Sequence, residues 1–491
     1  MDKTKIETLI EEVPKGLFIN GQWQEADGGK QTEVINPATG QVIAHVANAG
    51  EKETEQAITA AEKAFPKWSG LTADERGVWL HKMADAIRGA AKDLAVVMTI
   101  EQGKPLNQAE AEILSGAACL DWNAEEVKRL KGETIPGPTG ELLLVQHEPL
   151  GVVAAITPWN FPSAMITRKM APAIAVGNTV VLKPSPETPL SALALMALFD
   201  KIGLPAGVVN IVTGDAKAIG GVLTADNRVR KLTFTGSTAV GKMLFAQSAD
   251  TVKKLSLELG GHAPFIVFED ANVDKVVADL VAAKFRNNGQ VCTSPNRIFV
   301  HESIQATFTE KLVSAVEQVK IANGLDENAS AGPLIREDAI EKIDKQLDDA
   351  KGKGAKILSG GERLTGAEFD DGYFYKPTVI TGITKEMAIF YEETFGPVLP
   401  IITFNEDDEV IEAANDTLYG LASYFYTNDI GRIAEVGRRL QYGMVGVNSI
   451  NISYPQTPFG GVKHSGFGRE NGAQGLSDYI QVKFLNITYK K

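Results

Sequence analysis

The chain has 491 residues, of which 44% are hydrophobic and 23% are charged, the composition of an ordinary soluble globular protein. This length is too great for one hydrophobic core and predicts two or three domains. The formal net charge of −13 argues against general affinity for nucleic acid or anionic membranes, and the presence of only two cysteines excludes a disulfide framework.

The first 130 residues predict short strands followed by helices. Residues 2–12 are acidic rather than apolar, and no later stretch is long and apolar enough to span a bilayer, so we expect a cytoplasmic protein. Asn-Gly and Asn-Pro pairs between residues 16 and 47 predict strands and hairpins. A capping box at Thr72 and helical spacing of apolar residues predict helices over residues 53–68, 72–90 and 109–130. Cys119 lies on an apolar face of the last helix and is interpreted as structural.

From Gly151 onward, strands and helices alternate, which predicts a parallel sheet with crossover helices. The predicted strands are residues 152–156, 179–182, 208–212 and 231–234, and the predicted helices are 163–176 and 190–202. Such a sheet binds nucleotides at the carboxyl ends of its strands. Residues 234–241 follow a strand and open a helix, so their amides could hold a pyrophosphate, with a plain helix start as the alternative. They match neither G-x-G-x-x-G nor the Walker pattern, which disfavours a kinase or ATPase.

Three polar side chains follow or end predicted strands. Asn160 is either an oxyanion donor or a helix cap. Lys183 either reaches ribose or phosphate oxygens or is solvated at the surface. Glu258 alternates with leucines in residues 255–261, so it is either a base beside a semi-apolar pocket or part of the wet face of a strand.

Cys292 is the candidate nucleophile. The helix predicted over residues 273–285 breaks at Asn-Asn-Gly, residues 287–289, and a strand follows at 297–300, so the cysteine is placed on a loop. A lone cysteine is more often buried and inert, but the polar and glycine-bearing flanks here favour reactivity. The six histidines stand singly, and none lies at metal-ligand spacing from another His or Cys, so no catalytic metal is predicted.

Five segments in this order resemble the aldehyde dehydrogenase superfamily from about Gly16 to the C-terminus. They are residues 157–162 (TPWNFP), 257–261 (LELGG), 285–292 (FRNNGQVC), 392–397 (EETFGP) and 458–466 (PFGGVKHSG). The resemblance implies a doubly wound parallel-sheet cofactor domain, an α/β catalytic domain and a small β oligomerisation domain, and hence a homodimer or homotetramer. The implied ranges are 1–124 and 149–255 for the cofactor domain, 256–455 for the catalytic domain, and 125–148 and 475–491 for the oligomerisation sheet.

The resemblance also implies roles for individual residues. The Cys292 thiolate adds to an aldehyde, the Asn160 amide and the Cys292 N–H hold the resulting alkoxide, and Glu258 activates water to hydrolyse the thioester. The implied cofactor-binding residues are Thr157, Pro158, Trp159, Lys183, Ser185, Pro186, Gly236, Ser237, Gly241, Leu259, Glu393 and Phe395.

Two departures bear on the cofactor and on regulation. NAD-preferring relatives often carry Glu three residues after the lysine, whereas this chain has Pro186 there and Glu187 next. We therefore expect NADP to be preferred and NAD to be used. Ser294 stands where some relatives have a redox-switch cysteine, so no such switch is expected.

The expected substrate rests on Arg168, Arg286 and Ser453, which resemble the carboxylate-binding set of succinate-semialdehyde dehydrogenases. The resemblance thus implies oxidation of succinate semialdehyde to succinate. Glutarate semialdehyde and a broad range of aldehydes remain alternatives. A catalytically dead homologue is disfavoured because Cys292, Glu258 and Asn160 are all present, and a CoA-acylating enzyme is disfavoured because such relatives typically lack the carboxylate at Glu258.

Overall fold

The computed structural model describes residues 3–489 and contains twenty strands there. The strands are β1 (Leu17–Ile19), β2 (Gln22–Gln24), β3 (Gln31–Ile35), β4 (Val42–Ala47), β5 (Glu133–Ile135), β6 (Glu141–Pro149), β7 (Val152–Ile156), β8 (Thr179–Lys183), β9 (Val209–Ile211), β10 (Val229–Thr235), β11 (Lys254–Glu258), β12 (Ala263–Val267), β13 (Pro295–His301), β14 (Lys356–Ser359), β15 (Thr378–Thr381), β16 (Val398–Phe404), β17 (Ala422–Tyr426), β18 (Met444–Val447), β19 (Gly466–Phe467) and β20 (Ile480–Thr488).

Sixteen α-helices accompany the strands within the same range. The helices are α1 (Lys3–Glu12), α2 (Glu51–Ser69), α3 (Ala73–Gly89), α4 (Ala91–Gln102), α5 (Leu106–Glu126), α6 (Ala164–Ala175), α7 (Pro189–Lys201), α8 (Ala216–Ala225), α9 (Thr238–Gln247), α10 (Val273–Phe285), α11 (Glu302–Val316), α12 (Glu337–Gly352), α13 (Ala388–Tyr391), α14 (Asp407–Asn415), α15 (Ile430–Arg439) and α16 (Gly472–Ser477). None of these helices is long and apolar enough to cross a membrane.

The first sheet has eight strands in the order β19-β11-β10-β7-β8-β9-β1-β2. The five central strands from β11 to β9 are parallel, which confirms the sheet predicted from the alternating pattern. From β7 the chain proceeds to β8 and β9 on one side and returns to β10 and β11 on the other. The strand order therefore reverses between β7 and β10, the position at which open α/β sheets form a ligand crevice.

The second sheet has seven strands in the order β14-β15-β16-β13-β12-β17-β18, all parallel except β14. Strand β12 is buried along its whole length, as expected for a strand covered on both faces. Helix α10 leaves this sheet and ends at Phe285, seven residues before Cys292. The second sheet thus positions the loop that carries the cysteine.

A third sheet, β20-β6-β5, is antiparallel and includes the C-terminal strand. Strand β20 pairs with β6 from Ile480 opposite Pro149 to Thr488 opposite Glu141. Val482 and Phe484 on β20 are 67% and 58% exposed, which is unusual for large apolar side chains. The first two residues of the predicted segment 1–124 and the last two of 475–491 lie outside the described residues.

The local sequence signals differ in how well they specify structure. The capping box at Thr72 is confirmed: Thr72 Oγ1 accepts from the Glu75 N–H at 3.2 Å, and a Glu75 carboxylate oxygen accepts from the Thr72 N–H at 2.7 Å. Over residues 1–300, where individual elements were predicted, the sequence analysis missed α1, α4 and α8. Helix α4 is buried over all of its last nine residues, so it shows no polar face from which a helical period can be recognised.

The domain division stays a prediction. Strand β11 runs across the boundary expected at residue 256 between the cofactor domain and the catalytic domain.

Candidate active site

Helix α10 ends before Cys292, three residues with left-handed backbone conformation come shortly after it, and the loop of Cys292 begins there. Asn287 and Asn288 have φ of 47° and 54°, and Gly289 has φ of 78°. A Cβ on Gly289 would lie 2.2 Å from the Gly396 carbonyl oxygen, so only glycine fits this approach. The predicted turn is therefore present, and it delivers Cys292, which is half-buried, to the carboxyl edge of the first sheet.

Asn160 reaches this loop from the first sheet. It lies after β7 in a segment without regular structure, and its Nδ2 donates to the Gln290 carbonyl oxygen at 3.0 Å. Asn160 and Cys292 line one cavity of about 310 Å³. One N–H of the Asn160 amide is used in this bond, and the other remains for a further acceptor.

Glu258 ends strand β11 and is 5% exposed. Neither of its carboxylate oxygens has a hydrogen-bond partner among the described residues. Burial, aided by the nearby Glu470 carboxylate, raises the pKa of Glu258 to about 8. The side chain thus combines a pKa near neutrality with two free oxygens, which are the properties of a general base.

The two cysteines share a raised pKa but differ in position. Burial and the carboxylates of Glu258 and Glu393 raise the pKa of Cys292 to about 12, so its resting form is the thiol. Cys119 also has its pKa raised by burial to about 12, but it packs in the hydrophobic core on α5, with Asn471 Oδ1 at 3.8 Å. Of the two sulfurs, only that of Cys292 lies between the two sheets.

Seven of the twelve predicted cofactor residues line the 310 Å³ cavity. They are Pro158, Trp159, Gly236, Ser237, Leu259, Glu393 and Phe395. The remaining five, which are not among the lining residues, are Thr157, Lys183, Ser185, Pro186 and Gly241. Gly241 has a supporting role, since a Cβ there would lie 2.3 Å from a methyl group of Leu259.

The residues around this cavity fit a dinucleotide. Ser237 lines the cavity and caps α9, so the N-terminus of this helix, a favourable place for a phosphate, begins at the cavity. Lys183 ends β8 and is 4% exposed, and its single hydrogen bond to the described part of the chain is to the Pro184 carbonyl oxygen at 3.2 Å. Burial lowers its pKa to about 8. Phe395, with φ of 57°, meets Trp159 edge to face at 5.7 Å. A phosphate site, a cation for ribose or phosphate oxygens and an aromatic wall are the groups that such a ligand needs.

The turn after β8 carries the group that bears on cofactor choice. Pro186 is exposed, and the Glu187 carboxylate accepts a hydrogen bond from the Ser185 hydroxyl. The same carboxylate pairs with Arg336, which lines the cavity from the start of α12. Glu187 is thus already engaged and partly neutralised.

A second cavity of about 380 Å³ opens on the other side of Cys292, and Arg168, Arg286 and Ser453 line it. Arg168 Nη2 donates to Ser453 Oγ at 3.2 Å, while Nη1 has no hydrogen-bond partner among the described residues. Its guanidinium lies 4.4 Å from the centre of the Phe459 ring, and Glu470 is 3.8 Å from Nη1. Arg286 and Ser453 are exposed, so they form the rim, and Arg168 forms the wall.

The aldehyde dehydrogenase family model matches residues 23–485. The chain belongs to the aldehyde dehydrogenase family. It is 50% identical over 472 residues to glutarate-semialdehyde dehydrogenase of Pseudomonas putida, with 96% of this chain and 97% of the relative covered. It is 48% identical over 471 residues to the NADP(+) succinate-semialdehyde dehydrogenase of Escherichia coli, with 96% and 97% covered.

Solved structures give the same result. The chain matches the succinate-semialdehyde dehydrogenase of Burkholderia pseudomallei with a TM-score of 0.95 and 47% identity, over 99% of each chain. The predicted aldehyde dehydrogenase fold is therefore confirmed, and the protein is an oxidoreductase that uses NAD or NADP. Within residues 3–489, no group of three or more His, Cys, Asp or Glu side chains could hold a metal ion.

Two side chains of this aldehyde dehydrogenase were missed by the sequence analysis. Lys104 and Glu112 are buried behind the Asn160 loop, and both contact it. The sequence offers one weak indication of these contacts: Lys104 follows an apolar run that ends in Glu101, Gln102 and Gly103. Their partners lie about 50 residues away, so local spacing could not reveal the contacts.

Proposed function

We propose that the protein oxidises succinate semialdehyde, an aldehyde with a distal carboxylate, to succinate, with NADP or NAD as oxidant. The observation that carries this proposal is the position of Cys292, which lines both cavities. One cavity has the groups for a dinucleotide, and the other has two arginines. A short ω-oxo acid with its carboxylate at the arginines would therefore present its aldehyde to the sulfur.

The substrate carboxylate would be held by Arg168 and Arg286. Arg168 Nη1 is buried and lies 3.8 Å from the Glu470 carboxylate, but it makes no hydrogen bond among residues 3–489, so it keeps a donor for an anionic ligand. The guanidinium fork binds a carboxylate through two parallel hydrogen bonds, and Ser453 adds a hydroxyl at the rim. Glu112 also lines this cavity, but its carboxylate is neutralised by Lys104.

The reaction then uses three residues at fixed places. Cys292 loses its proton to water in the open cavity and adds to the aldehyde carbon, which forms a thiohemiacetal alkoxide. The free N–H of Asn160 Nδ2 and the backbone N–H of Cys292 stabilise that oxygen. Bound NAD(P) supplies the hydride acceptor that makes the step an oxidation. Glu258 finally takes a proton from the water that attacks the thioester, which releases the acid and the thiol.

A second candidate substrate is glutarate semialdehyde. The similarity to the Pseudomonas putida enzyme favours it, and a cavity of about 380 Å³ has room for one more methylene group. Both substrates place a carboxylate at the same arginines. Catalytic efficiency, kcat/KM, measured on both semialdehydes with each cofactor separates the two assignments.

Charge recognition makes a quantitative prediction. We expect kcat/KM on succinate semialdehyde to exceed that on butanal by about 100-fold or more, because each of the two arginines can contribute a charge-assisted hydrogen bond of about 1.5–3 kcal/mol. Arg168→Ala and Arg286→Ala should each remove a large part of this difference through KM. Turnover of butanal by the same variants is the internal control, and it should hardly change. Equal efficiency of the wild type on the two aldehydes would show that the arginines do not bind substrate.

We also propose that NADP is the preferred cofactor, because the turn after β8 lacks a carboxylate at position 186. Pro186→Glu should shift the preference towards NAD by roughly 10- to 100-fold, since the new side chain can accept from the ribose 2'-hydroxyl and repels a 2'-phosphate. Pro186→Gln is the matched control, because it has the same shape without the charge. The measurement is kcat/KM for both cofactors, and a wild type that refuses NADP would contradict the account.

We further propose that the chain assembles as a homodimer or homotetramer through the three-stranded sheet. Its support is the exposed apolar surface of β20, above all Val482 and Phe484. We take the partner that covers this apolar surface to be a second copy of the same chain. Light scattering after size-exclusion chromatography would report a monomer if this were wrong.

A further inference from the structure

One segment, residues 102–112, contacts both the loop of Asn160 and the loop of Cys292 from behind, and its residues 102–105, 109 and 112 are buried. It joins the end of α4 to the first turns of α5. Gln102 Nε2 donates to Asn287 Oδ1 at 3.0 Å, and the Asn287 N–H donates to Gln108 Oε1 at 2.8 Å. These two bonds hold the turn that delivers Cys292. The same segment reaches the Asn160 loop through Lys104.

Lys104 places a buried cation directly against Asn160. It is 1% exposed, and its Nζ donates to the backbone carbonyl oxygen of Asn160 at 2.7 Å. The ammonium also pairs with Glu112 Oε2 at 2.5 Å and lies 4.1 Å from the centre of the Phe161 ring. The Asn160 carbonyl has a second donor, Asn287 Nδ2 at 3.0 Å. Both catalytic loops therefore meet at this one oxygen.

Glu112 fixes the other end of the same loop. Its Oε1 accepts from the backbone N–H groups of Ser163 at 2.9 Å and Ala164 at 3.1 Å, where helix α6 begins. The Lys104–Glu112 pair is thus hydrogen-bonded to the backbone at residue 160 and again at residues 163–164. A buried ammonium is costly to desolvate unless it is fully paired, so its presence here calls for a reason beyond packing.

We propose that Lys104 is a positioning residue for the oxyanion site. It fixes the Asn160 backbone, and through it the direction in which the Asn160 amide points at the substrate oxygen. Donors in such a site act only when they are held in place before charge develops, because reorienting them during the reaction costs part of their benefit. The inference rests on the alkoxide chemistry proposed above.

The test uses the full-length enzyme and the rate of the first turnover. Lys104→Met alone would leave Glu112 as an unpaired buried carboxylate, so a second variant, Lys104→Met with Glu112→Gln, removes both charges at similar volume. Circular dichroism and thermal melting establish that each variant is folded. Loss of one oxyanion donor costs about 10²- to 10³-fold in rate, and Lys104 acts through that donor. We expect a fall of roughly 10- to 100-fold in the hydride-transfer rate with little change in KM.

A double-mutant cycle with Asn160→Ala separates positioning from a general structural effect. If Lys104 acts through Asn160, the Lys104 substitution should slow the Asn160→Ala enzyme hardly at all. Lys253→Met is the matched control: Lys253 is a buried lysine that donates to the Leu223 and Asp226 carbonyl oxygens at 3.0 Å, remote from the site. It should lower the melting temperature and leave the rate unchanged.

Two outcomes would overturn the inference, and they have different meanings. A folded Lys104 variant with an unchanged rate, or with a loss that persists in full when Asn160 is alanine, would overturn the positioning role alone. An Asn160→Ala enzyme as fast as the wild type would overturn the proposed alkoxide chemistry as well. The observed Asn160→Ala rate therefore shows which of the two proposals has failed.

Discussion

Replacing Cys292 by alanine should abolish aldehyde oxidation and leave dinucleotide binding intact. The sulfur supplies the covalent step, and removal of a nucleophile of this kind costs about 10⁴-fold or more in kcat. Cys292 lines one side of the dinucleotide cavity, and the rest is formed by residues that follow β7, β10 and β11, by the start of α12 and by residues 393–395, none of which the substitution alters. Steady-state turnover of succinate semialdehyde and fluorescence titration with NADPH measure the two properties separately.

Cys119→Ala is the matched control, because it removes the only other thiol. Cys119 packs in the core on α5, and the change deletes one sulfur atom from a buried site. We expect full catalytic activity with a modest loss of thermal stability. Substantial turnover by Cys292→Ala, or a folded but inactive Cys119→Ala, would mean that the nucleophile has been wrongly assigned.

Glu258→Gln should separate the two halves of the reaction. The variant keeps the thiol and the oxyanion donors, so one equivalent of reduced cofactor per site should form in a burst. Hydrolysis of the thioester then lacks its base, and steady-state turnover should fall by about 10²- to 10⁴-fold. Rapid-mixing absorbance of the reduced cofactor resolves the burst from the slow phase. Loss of the burst itself would place Glu258 in an earlier step.

The pH profile supplies an independent check on the same carboxyl group. Glu258 acts as a base only when deprotonated, and its pKa is raised to about 8. The rate of thioester hydrolysis in the wild type should therefore rise with pH up to about 8 and then level off. Glu258→Gln should lack this rise. A wild-type rate that is flat between pH 6 and 9 would contradict the role of Glu258.

The sequence predicted the parts of the site that depend on local punctuation. Three features follow from residue types alone: the Asn-Asn-Gly break before Cys292, the strand that ends shortly before Asn160, and the strand that ends at Lys183. Glycine, asparagine and β-branched runs act within a few residues. The meeting of Asn160 with the Cys292 loop, 130 residues apart, followed only from the family resemblance. No spacing rule relates positions that a parallel sheet brings together.

The parts that the sequence did not predict depend on partners outside the local segment. Helix α4 is buried nearly all round, so its apolar run shows no period that separates helix from strand. Lys104 and Glu112 were missed for a related reason. A lysine is assigned to the surface by default. Only the fold shows that Lys104 donates to the Asn160 backbone and that Glu112 accepts from two amides at the start of α6.

The carboxyl group of Glu258, which is buried and has no hydrogen-bond partner among the described residues, implies a trade-off between stability and activity. Folding raises its pKa, so between about pH 4.5 and 8 the native state binds a proton that the unfolded state has released, and stability falls as the pH rises through this range. A neutral amide at this position escapes that penalty. Glu258→Gln should therefore melt at about the same temperature as the wild type at pH 4 and at a higher temperature at pH 8, although its turnover falls.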